Sequence, residues 1–306
     1  MTQVILHHFD ASPFAEKIRV ALGMKGIDWQ AVQIPMVMPK PDLTALTGGY
    51  RKTPVMQIGA DIYCDTQRIA LELETRFPTP TLFPDNSLGQ ALAIASWADQ
   101  HLFQPGAGLS MGTNLDLPED ILADRFAFFD FLDRETLPEQ LPHLFAQFRA
   151  NLNRVETMLA DGRDWLLGAS PSWADASVYA SVWMCRGNIR GADQLLEGLD
   201  NLLAWEQRLI AIGHGSPSEL TADDALAVSQ SHSSIAEHKI EGALWPDIGQ
   251  DASVVVTPED YGAVPVSGTL VRHTQDDIAI ARSDERAGNV VVHFPRATYR
   301  LERAGE

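Results

Sequence analysis

The first eighty residues alternate between short apolar runs and stretches of helical periodicity. The apolar run Val4–Leu6 predicts a buried strand. Ser12–Pro13 then opens a helix, because a hydroxyl cap followed by proline favours a first helical turn. Farther along, Val55–Ile58 and Asp61–Tyr63 flank a turn and predict a β-hairpin, which is followed by a helix from Asp65. The predicted order, β-α-β-α-β-β-α, places a parallel βαβ unit before an antiparallel hairpin and a helix.

The pattern changes twice in the remainder of the chain. Three prolines between residues 78 and 84 predict a linker, and 88–213 then carry apolar positions at helical spacing, which predicts an all-α bundle. Over 220–306, short β-rich runs separated by turn residues predict a small, mainly-β barrel or sandwich. The chain is thus predicted to be an α+β multidomain protein made of 1–80, 88–213 and 220–306. The β-rich runs are Val254–Val256, Val264–Val266, Leu270–Val271, Ile278–Ala281 and Val290–Phe294.

Charge is distributed unevenly along the 306 residues, which contain 23 basic and 41 acidic side chains for a net charge of −18. Residues 1–80 are neutral overall, whereas 81–213 carry −10 and 214–306 carry −8. A chain this acidic lacks the positive surface that binds phosphate backbones or anionic lipid. We therefore expect no nucleic-acid partner and no membrane partner.

The cysteine content, and the lack of patterns typical of a leader, a membrane span or a metal site, restrict the class of protein further. The two cysteines, Cys64 and Cys185, cannot build a disulfide scaffold and fit a reducing compartment. Met1–Gln3 shows no cationic leader, and no apolar run approaches the roughly 18 residues of a membrane span. The nine histidines show no spacing typical of a metal site. The sequence therefore predicts a cytoplasmic protein without a metal.

Three short motifs resemble those of the cytosolic glutathione transferase family: Ser12–Pro13–Phe14 at a strand-to-helix turn, Thr53–Pro54 before the hairpin, and Asp65–Thr66 at a helix start. From the residues alone, an ordinary helix cap is the favoured interpretation of both Ser12 and Asp65–Thr66. By the resemblance, 1–80 correspond to a thioredoxin-like domain that binds glutathione, and 88–213 correspond to the helical domain. The segment 220–306 lies outside the family pattern, and its role is left open.

The resemblance implies a role for each motif in binding glutathione as cosubstrate. Ser12 would be the catalytic residue, since its hydroxyl would stabilise the glutathione thiolate; serine in place of cysteine argues against glutaredoxin-like exchange. Thr53, before a cis Pro54, would pair with the cysteinyl backbone, and Asp65 with Thr66 would bind the γ-glutamyl end. The cation for the glycine carboxylate stays open among Lys40, Arg51 and Lys52. The implied glutathione-binding set is Phe14, Lys40, Arg51, Thr53, Pro54, Asp65 and Thr66.

The resemblance also implies a pocket for a small hydrophobic electrophile between the two family domains. Its candidate lining residues are Asp10, Trp97, His101, Phe103 and Met111. For the four that fall on the first bundle helix, burial in the bundle core is the alternative interpretation. Ser172 and Asp175 form a capping box with a folding role. The chain is expected to be a homodimeric transferase used in detoxification; the alternatives are a glutathione-dependent isomerase, an ether-cleaving enzyme, or a weakly catalytic binding or assembly module.

Overall fold

The computed structural model describes residues 3–241 and 248–305. Met1–Thr2 lie outside the described residues, as do 242–247 and 306, which belong to the expected C-terminal domain. The chain forms two compact units. The first unit contains Met1–Asp10, Asp28–Glu72 and Pro217–Glu306, and the second contains Ala11–Ile27 and Leu73–Ser216. The C-terminal segment thus belongs to the same compact unit as the strands of the first eighty residues.

The amino-terminal strands of the first unit have the predicted arrangement. They are β1 (Val4–His8), β2 (Asp28–Gln33), β3 (Val55–Ile58) and β4 (Asp61–Cys64). Strands β1 and β2 pair in parallel, whereas β3 pairs antiparallel with both β1 and β4. The parallel unit followed by an antiparallel hairpin, as expected of a thioredoxin-like domain, is therefore confirmed.

The C-terminal strands continue this sheet and do not form a separate barrel or sandwich. They are β7 (Ser253–Pro258), β8 (Val266–His273), β9 (Asp277–Asp284), β10 (Gly288–Pro295) and β11 (Tyr299–Arg303). Among the described residues, they join the amino-terminal strands in the order β11-β7-β8-β9-β10-β4-β3-β1-β2, and β5 (Ser216–Glu219) follows β2. A short strand, β6 (Lys239–Ile240), pairs with β8. The predicted run at 270–271 lies within β8, but only the last residue of the run at 264–266 does, and β11 was not predicted.

The junction of the two sets of strands is the parallel ladder between β4 and β10, in which Ile62 lies opposite Val292. Without β10, β4 would present unpaired backbone groups at the edge of the sheet. Side chains strengthen the junction, because Nε2 of His293 lies 2.9 Å from Oδ1 of Asp61 and the imidazole stacks on Tyr63 at 4.5 Å. Burial acts to raise the pKa of Asp61, but interactions with His293, the Ser234 hydroxyl and the Ile235 N–H together outweigh burial and keep that pKa below its usual value.

Helices account for most of the second unit, and they match the predicted bundle. A π-helical segment, Ala98–Leu102, connects the helix Leu88–Trp97 to the helix Phe103–Gly112. The third helix, α3 (Thr66–Arg76), begins in the first unit, which also holds α2 (Pro41–Thr47) and α11 (Ala222–Ser231). The helices that lie wholly in the second unit are α1 (Pro13–Lys25), α4 (Leu88–Trp97), α5 (Phe103–Gly112), α6 (Glu119–Phe128), α7 (Leu137–Met158), α8 (Trp173–Asn188), α9 (Ala192–Leu196) and α10 (Asp200–Ile212).

The start of α8 carries the predicted capping box, which is confirmed. The Asp175 carboxylate accepts from the backbone N–H of Ser172 at 2.9 Å and from its hydroxyl at 2.6 Å. It also accepts from the N–H of Leu166 at 2.8 Å and from Nε1 of Trp205 at 2.8 Å. One buried carboxylate therefore ties together the helix start, the preceding loop and α10.

Within the described ranges, 3–241 and 248–305, no helix is both long enough and apolar enough to cross a bilayer. Within the same ranges, no three or more His, Cys, Asp or Glu side chains are grouped so that they could hold a metal ion.

A neutral histidine buried in β1 makes the fold sensitive to acid. His7 lies within hydrogen-bond distance of Gln57, with Nε2 at 2.9 Å from Oε1, and burial lowers its pKa from 6.5 to about 4. Between these values the unfolded chain binds more protons than the folded one, so stability falls as the pH falls. We expect the free energy of unfolding to drop by about 2 kcal/mol from this group between pH 7 and pH 5, measured by urea titration.

His7→Gln is the variant that checks this origin, because it keeps an amide opposite Gln57 but does not titrate. Its loss of stability between the two pH values should be smaller than that of the parent by about 2 kcal/mol. Burial also lowers the pKa of His273, so a residual acid sensitivity stays in the variant. An unchanged loss in His7→Gln would show that His7 is not the cause.

Candidate functional site

Ser12 occupies the N-cap of α1, in an extended conformation with φ −80° and ψ 120°. Its Oγ accepts a hydrogen bond from the backbone N–H of Ala15 at 3.2 Å, and only 4 % of the residue is exposed. A serine hydroxyl has two lone pairs and one proton. The cap uses a lone pair and leaves the proton for another acceptor. The hydroxyl can therefore donate to an acceptor beside the positive end of a helix, where negative charge is favoured.

Phe14 contributes to an aromatic group in the second unit. Its ring meets that of Phe103 edge-on at 4.6 Å, and Phe103 in turn lies 5.8 Å from Phe129. The ammonium of the buried Lys17 lies 5.6 Å from the centre of the Phe14 ring. Lys17 also forms an ion pair of 2.8 Å with Asp99. Phe14 and Phe103, which were predicted as members of two different subsites, thus contact each other.

The other candidates for the acceptor pocket lie in different surroundings. Trp97 is half-buried at the end of α4, and His101 is exposed in the π-helical segment. Met111 is buried among Leu122 and Leu137, so its position matches the alternative interpretation as bundle core. In the first unit, Asp10 is exposed and accepts a hydrogen bond from Gln33 at 3.0 Å.

The Thr53–Pro54 peptide is cis, as the resemblance implies. Nζ of the buried Lys40 lies 3.3 Å from Oγ1 of Thr53, which brings two members of the predicted set together. Arg51 is half-buried in the same loop. Lys52 forms an ion pair with Asp260, so one of the three candidate cations is already held by a C-terminal carboxylate.

Asp65 and Thr66 lie at the start of α3. Asp65 has a φ of 74°, which is uncommon for a residue other than glycine and is tolerated best by Asn and Asp. Its Oδ1 accepts from the backbone N–H of Gln67 at 2.8 Å. Thr66 is buried as the first residue of the helix. A carboxylate and a helix N-terminus are therefore presented side by side, as a ligand with both an ammonium and a carboxylate requires.

Two tyrosines that sequence reasoning missed complete the surroundings of Asp65. The hydroxyl of Tyr299 donates to Oδ2 of Asp65 at 3.1 Å, and the hydroxyls of Tyr50 and Tyr299 are 2.9 Å apart. Burial, followed by the negative charge of Asp65, raises the pKa of both tyrosines well above the usual value, so both stay neutral. The alternation of buried Tyr299 and Leu301 with exposed Arg300 and Glu302 was the signal for this strand.

Comparison with known proteins gives matches to both parts of one family. Residues 6–81 match the model described as the N-terminal domain of glutathione S-transferase, and residues 138–208 match that of its C-terminal domain. Glutathione S-transferase theta-1 of Mus musculus is 26 % identical over 170 residues. That match covers 56 % of this chain and 66 % of the mouse protein, so the chain spans just under two thirds of that relative.

Solved structures give a longer match. A GST-like protein from Pseudomonas syringae is 35 % identical with a TM-score of 0.80, and the match covers 99 % of this chain and 100 % of that one. The β-etherase LigF from Sphingobium sp. strain SYK-6 shares the fold, with 16 % identity, a TM-score of 0.55, and coverage of 69 % of this chain and 96 % of its own. The chain therefore belongs to the glutathione S-transferase family.

Proposed function

We propose that this protein is a glutathione transferase-like enzyme in which Ser12 stabilises the thiolate of glutathione for attack on a hydrophobic electrophile. The observation that carries the proposal is the cap of α1, where the Ser12 oxygen accepts from Ala15 and its proton stays available. Family membership supplies glutathione as the cosubstrate class. The reaction forms a bond between the sulfur and the electrophilic carbon, while the electron pair goes to the leaving group, to the oxygen of the opened ring, or, in an enone, to the carbonyl oxygen as an enolate that is then protonated.

The strength of a hydrogen bond from Ser12 is sufficient for this role. A hydrogen bond to a charged group contributes about 1.5–3 kcal/mol. That energy lowers the pKa of a thiol from about 8.5 to about 7, because 1.36 kcal/mol corresponds to one pH unit. At neutral pH about half or more of the bound thiol would then be ionised. Ser12 thus activates the cosubstrate and does not itself attack.

The remaining groups supply recognition of the tripeptide. The ammonium of the γ-glutamyl end would bind Asp65, and its carboxylate would bind the hydroxyl of Thr66 and the start of α3. The backbone of Thr53 would pair with the cysteinyl residue as an added strand does. Lys40 is our choice for the glycine carboxylate, since it is held against Thr53, whereas Lys52 is paired with Asp260.

The acceptor would contact apolar side chains of the second unit. The rings of Phe14 and Phe103 offer an aromatic surface of the kind that binds hydrophobic small molecules. We further propose that the protein acts as a cytoplasmic homodimer and that its role is detoxification of such electrophiles.

Replacing Ser12 by alanine tests the proposal. We expect the parent to be retained on glutathione-agarose and to conjugate glutathione to members of a panel of aryl halides, epoxides and enones. Ser12→Ala should still bind glutathione, but its kcat/KM should fall by about 10- to 100-fold. The pKa of the bound thiol, followed by the ultraviolet absorbance of the thiolate, should rise in the variant.

Thr221→Ala is the matched control, because Thr221 caps α11 by accepting from Asp224 at 3.1 Å in the way that Ser12 caps α1. It should lose stability without losing turnover. Failure of the parent to bind glutathione would overturn the proposal. Binding without turnover would indicate a binding or assembly module, and turnover confined to β-aryl ethers or to isomerisable acids would indicate the corresponding alternative reaction.

A further inference from the structure

We propose that Tyr299, from the last strand of the sheet, is a positioning residue that holds Asp65 in place to receive the ammonium of the γ-glutamyl group. The inference rests on the proposed function and adds a contribution from the C-terminal strands to ligand recognition. Tyr299 lies outside both ranges that match the family models, 6–81 and 138–208. The family pattern therefore gives this residue no role.

The three polar groups form a chain with a defined direction. Ionised Asp65 can only accept, so the Tyr299 hydroxyl, at 3.1 Å, must donate to it. The oxygen of Tyr299 then accepts from the hydroxyl of Tyr50 at 2.9 Å. Because donation by Tyr50 polarises the hydroxyl of Tyr299, the bond to Asp65 is strengthened. A buried network therefore orients the carboxylate from one side.

Both oxygens of the Asp65 carboxylate are fixed by this arrangement. Oδ1 accepts from the backbone N–H of Gln67 at 2.8 Å, and Oδ2 accepts from Tyr299. A carboxylate offers about four lone-pair sites, so two protein donors leave room for an ammonium. Holding the group in one orientation before binding reduces the entropy lost when the ligand arrives. Tyr299 thus favours a ligand that carries an ammonium.

Tyr299 is itself rigidly held. Its ring lies 5.6 Å from Phe294, and its backbone pairs with Pro258 in the ladder between β11 and β7. The ammonium of Lys52 lies 6.0 Å from the centre of the Tyr299 ring and is paired with Asp260. Because Asp260 compensates that charge, Lys52 repels an incoming ammonium less. The C-terminal segment therefore supplies both the orienting hydroxyl, from β11, and the neutralising carboxylate, from the connection between β7 and β8.

The test compares glutathione with an analogue that lacks the α-ammonium, glutaryl-cysteinyl-glycine, in calorimetric binding to the full chain. We expect the parent to prefer glutathione. Tyr299→Phe should reduce this preference by about 5- to 10-fold, raise the KM for glutathione by a similar factor, and leave kcat within about twofold. Tyr50→Phe should have a smaller effect of about 2- to 3-fold in the same direction.

Tyr63→Phe is the matched control. The Tyr63 hydroxyl donates to Oε1 of Glu72 at 3.0 Å, and Tyr63 and Tyr299 are both 2 % exposed. Both variants lose one buried bond from a tyrosine to a carboxylate, but only Tyr299→Phe should change the preference for the ammonium. If the parent binds glutathione and Tyr299→Phe keeps the parental preference, the positioning role is wrong while the proposed function stands. If the parent binds neither compound, the proposed function itself is wrong.

Should Tyr299→Phe not fold, Tyr50→Phe decides the matter. The Tyr50 hydroxyl is hydrogen-bonded to that of Tyr299, and Tyr50 lies on a different segment of the first unit. A reduced preference for glutathione in Tyr50→Phe supports the chain of three groups, and a parental preference contradicts it.

Discussion

Asp175→Ala is expected to lower the free energy of unfolding by about 4 kcal/mol. The Asp175 carboxylate is fully buried and accepts four hydrogen bonds, from Leu166, from both the backbone and the hydroxyl of Ser172, and from Trp205. Removing it leaves four buried donors without a partner, and each such donor costs about 1–3 kcal/mol before the chain relaxes. Urea unfolding followed by tryptophan fluorescence measures the loss, since Trp205 is one of the donors.

Asp161→Ala is the control for this prediction. Asp161 also accepts several hydrogen bonds, from the backbone and guanidinium of Arg163, but both side chains are exposed. Water replaces those bonds when the carboxylate is removed, so the loss of stability should be a small fraction of that in Asp175→Ala. Equal losses in the two variants would contradict the account, because burial of the donors would then not matter.

Gly23→Ala is expected to destabilise the protein by about 3 kcal/mol. A Cβ atom at Gly23 would lie 2.1 Å from the carbonyl oxygen of Gly213 and 2.7 Å from its carbonyl carbon. Backbone atoms cannot rotate away as a side chain can, so the segment after α10 must move off α1. The thermal midpoint and the urea midpoint should both fall.

Gly187→Ala is the matched variant, since Gly187 also lies within a helix but has open space where a Cβ would be. There alanine reduces the freedom of the unfolded chain and should leave stability unchanged or raise it by about 0.5–1 kcal/mol. A tolerated Gly23→Ala would mean that α1 and the Gly213 segment do not approach as closely as described.

The first eighty residues could be predicted because their signals are local. The cap and proline at Ser12–Pro13, the hairpin around residue 59 and the start of α3 each depend on a few neighbouring residues. The capping box at Ser172–Asp175 is of the same kind. Such motifs fix where an element begins, since the hydrogen bonds involved span two to four positions.

The C-terminal segments were predicted to be strands, but the pairing of β10 with β4 was not predicted. A strand's own pattern shows which face is buried and does not show which edge it joins. The ladder between β10 and β4 joins a segment near residue 292 to one near residue 62, and no local signal records that choice. Tyr299 was missed for the same reason, because its partner Asp65 lies 234 positions away.

The bond between Asp61 and His293 also bears on how the chain reaches its structure. It joins residues that are 232 positions apart in the sequence, and the helices of the second unit from α4 to α10 lie between them along the chain. Contacts of such long sequence separation require closure of a very long loop and make folding slow. Strands from both ends of the sequence share one core, in which Val55 and Ile62 belong to the same cluster as Val292 and Phe294. The amino-terminal strands therefore cannot acquire their full stability until the last strands have joined them, and a polypeptide stopped before β10 would expose an unpaired, apolar edge to aggregation.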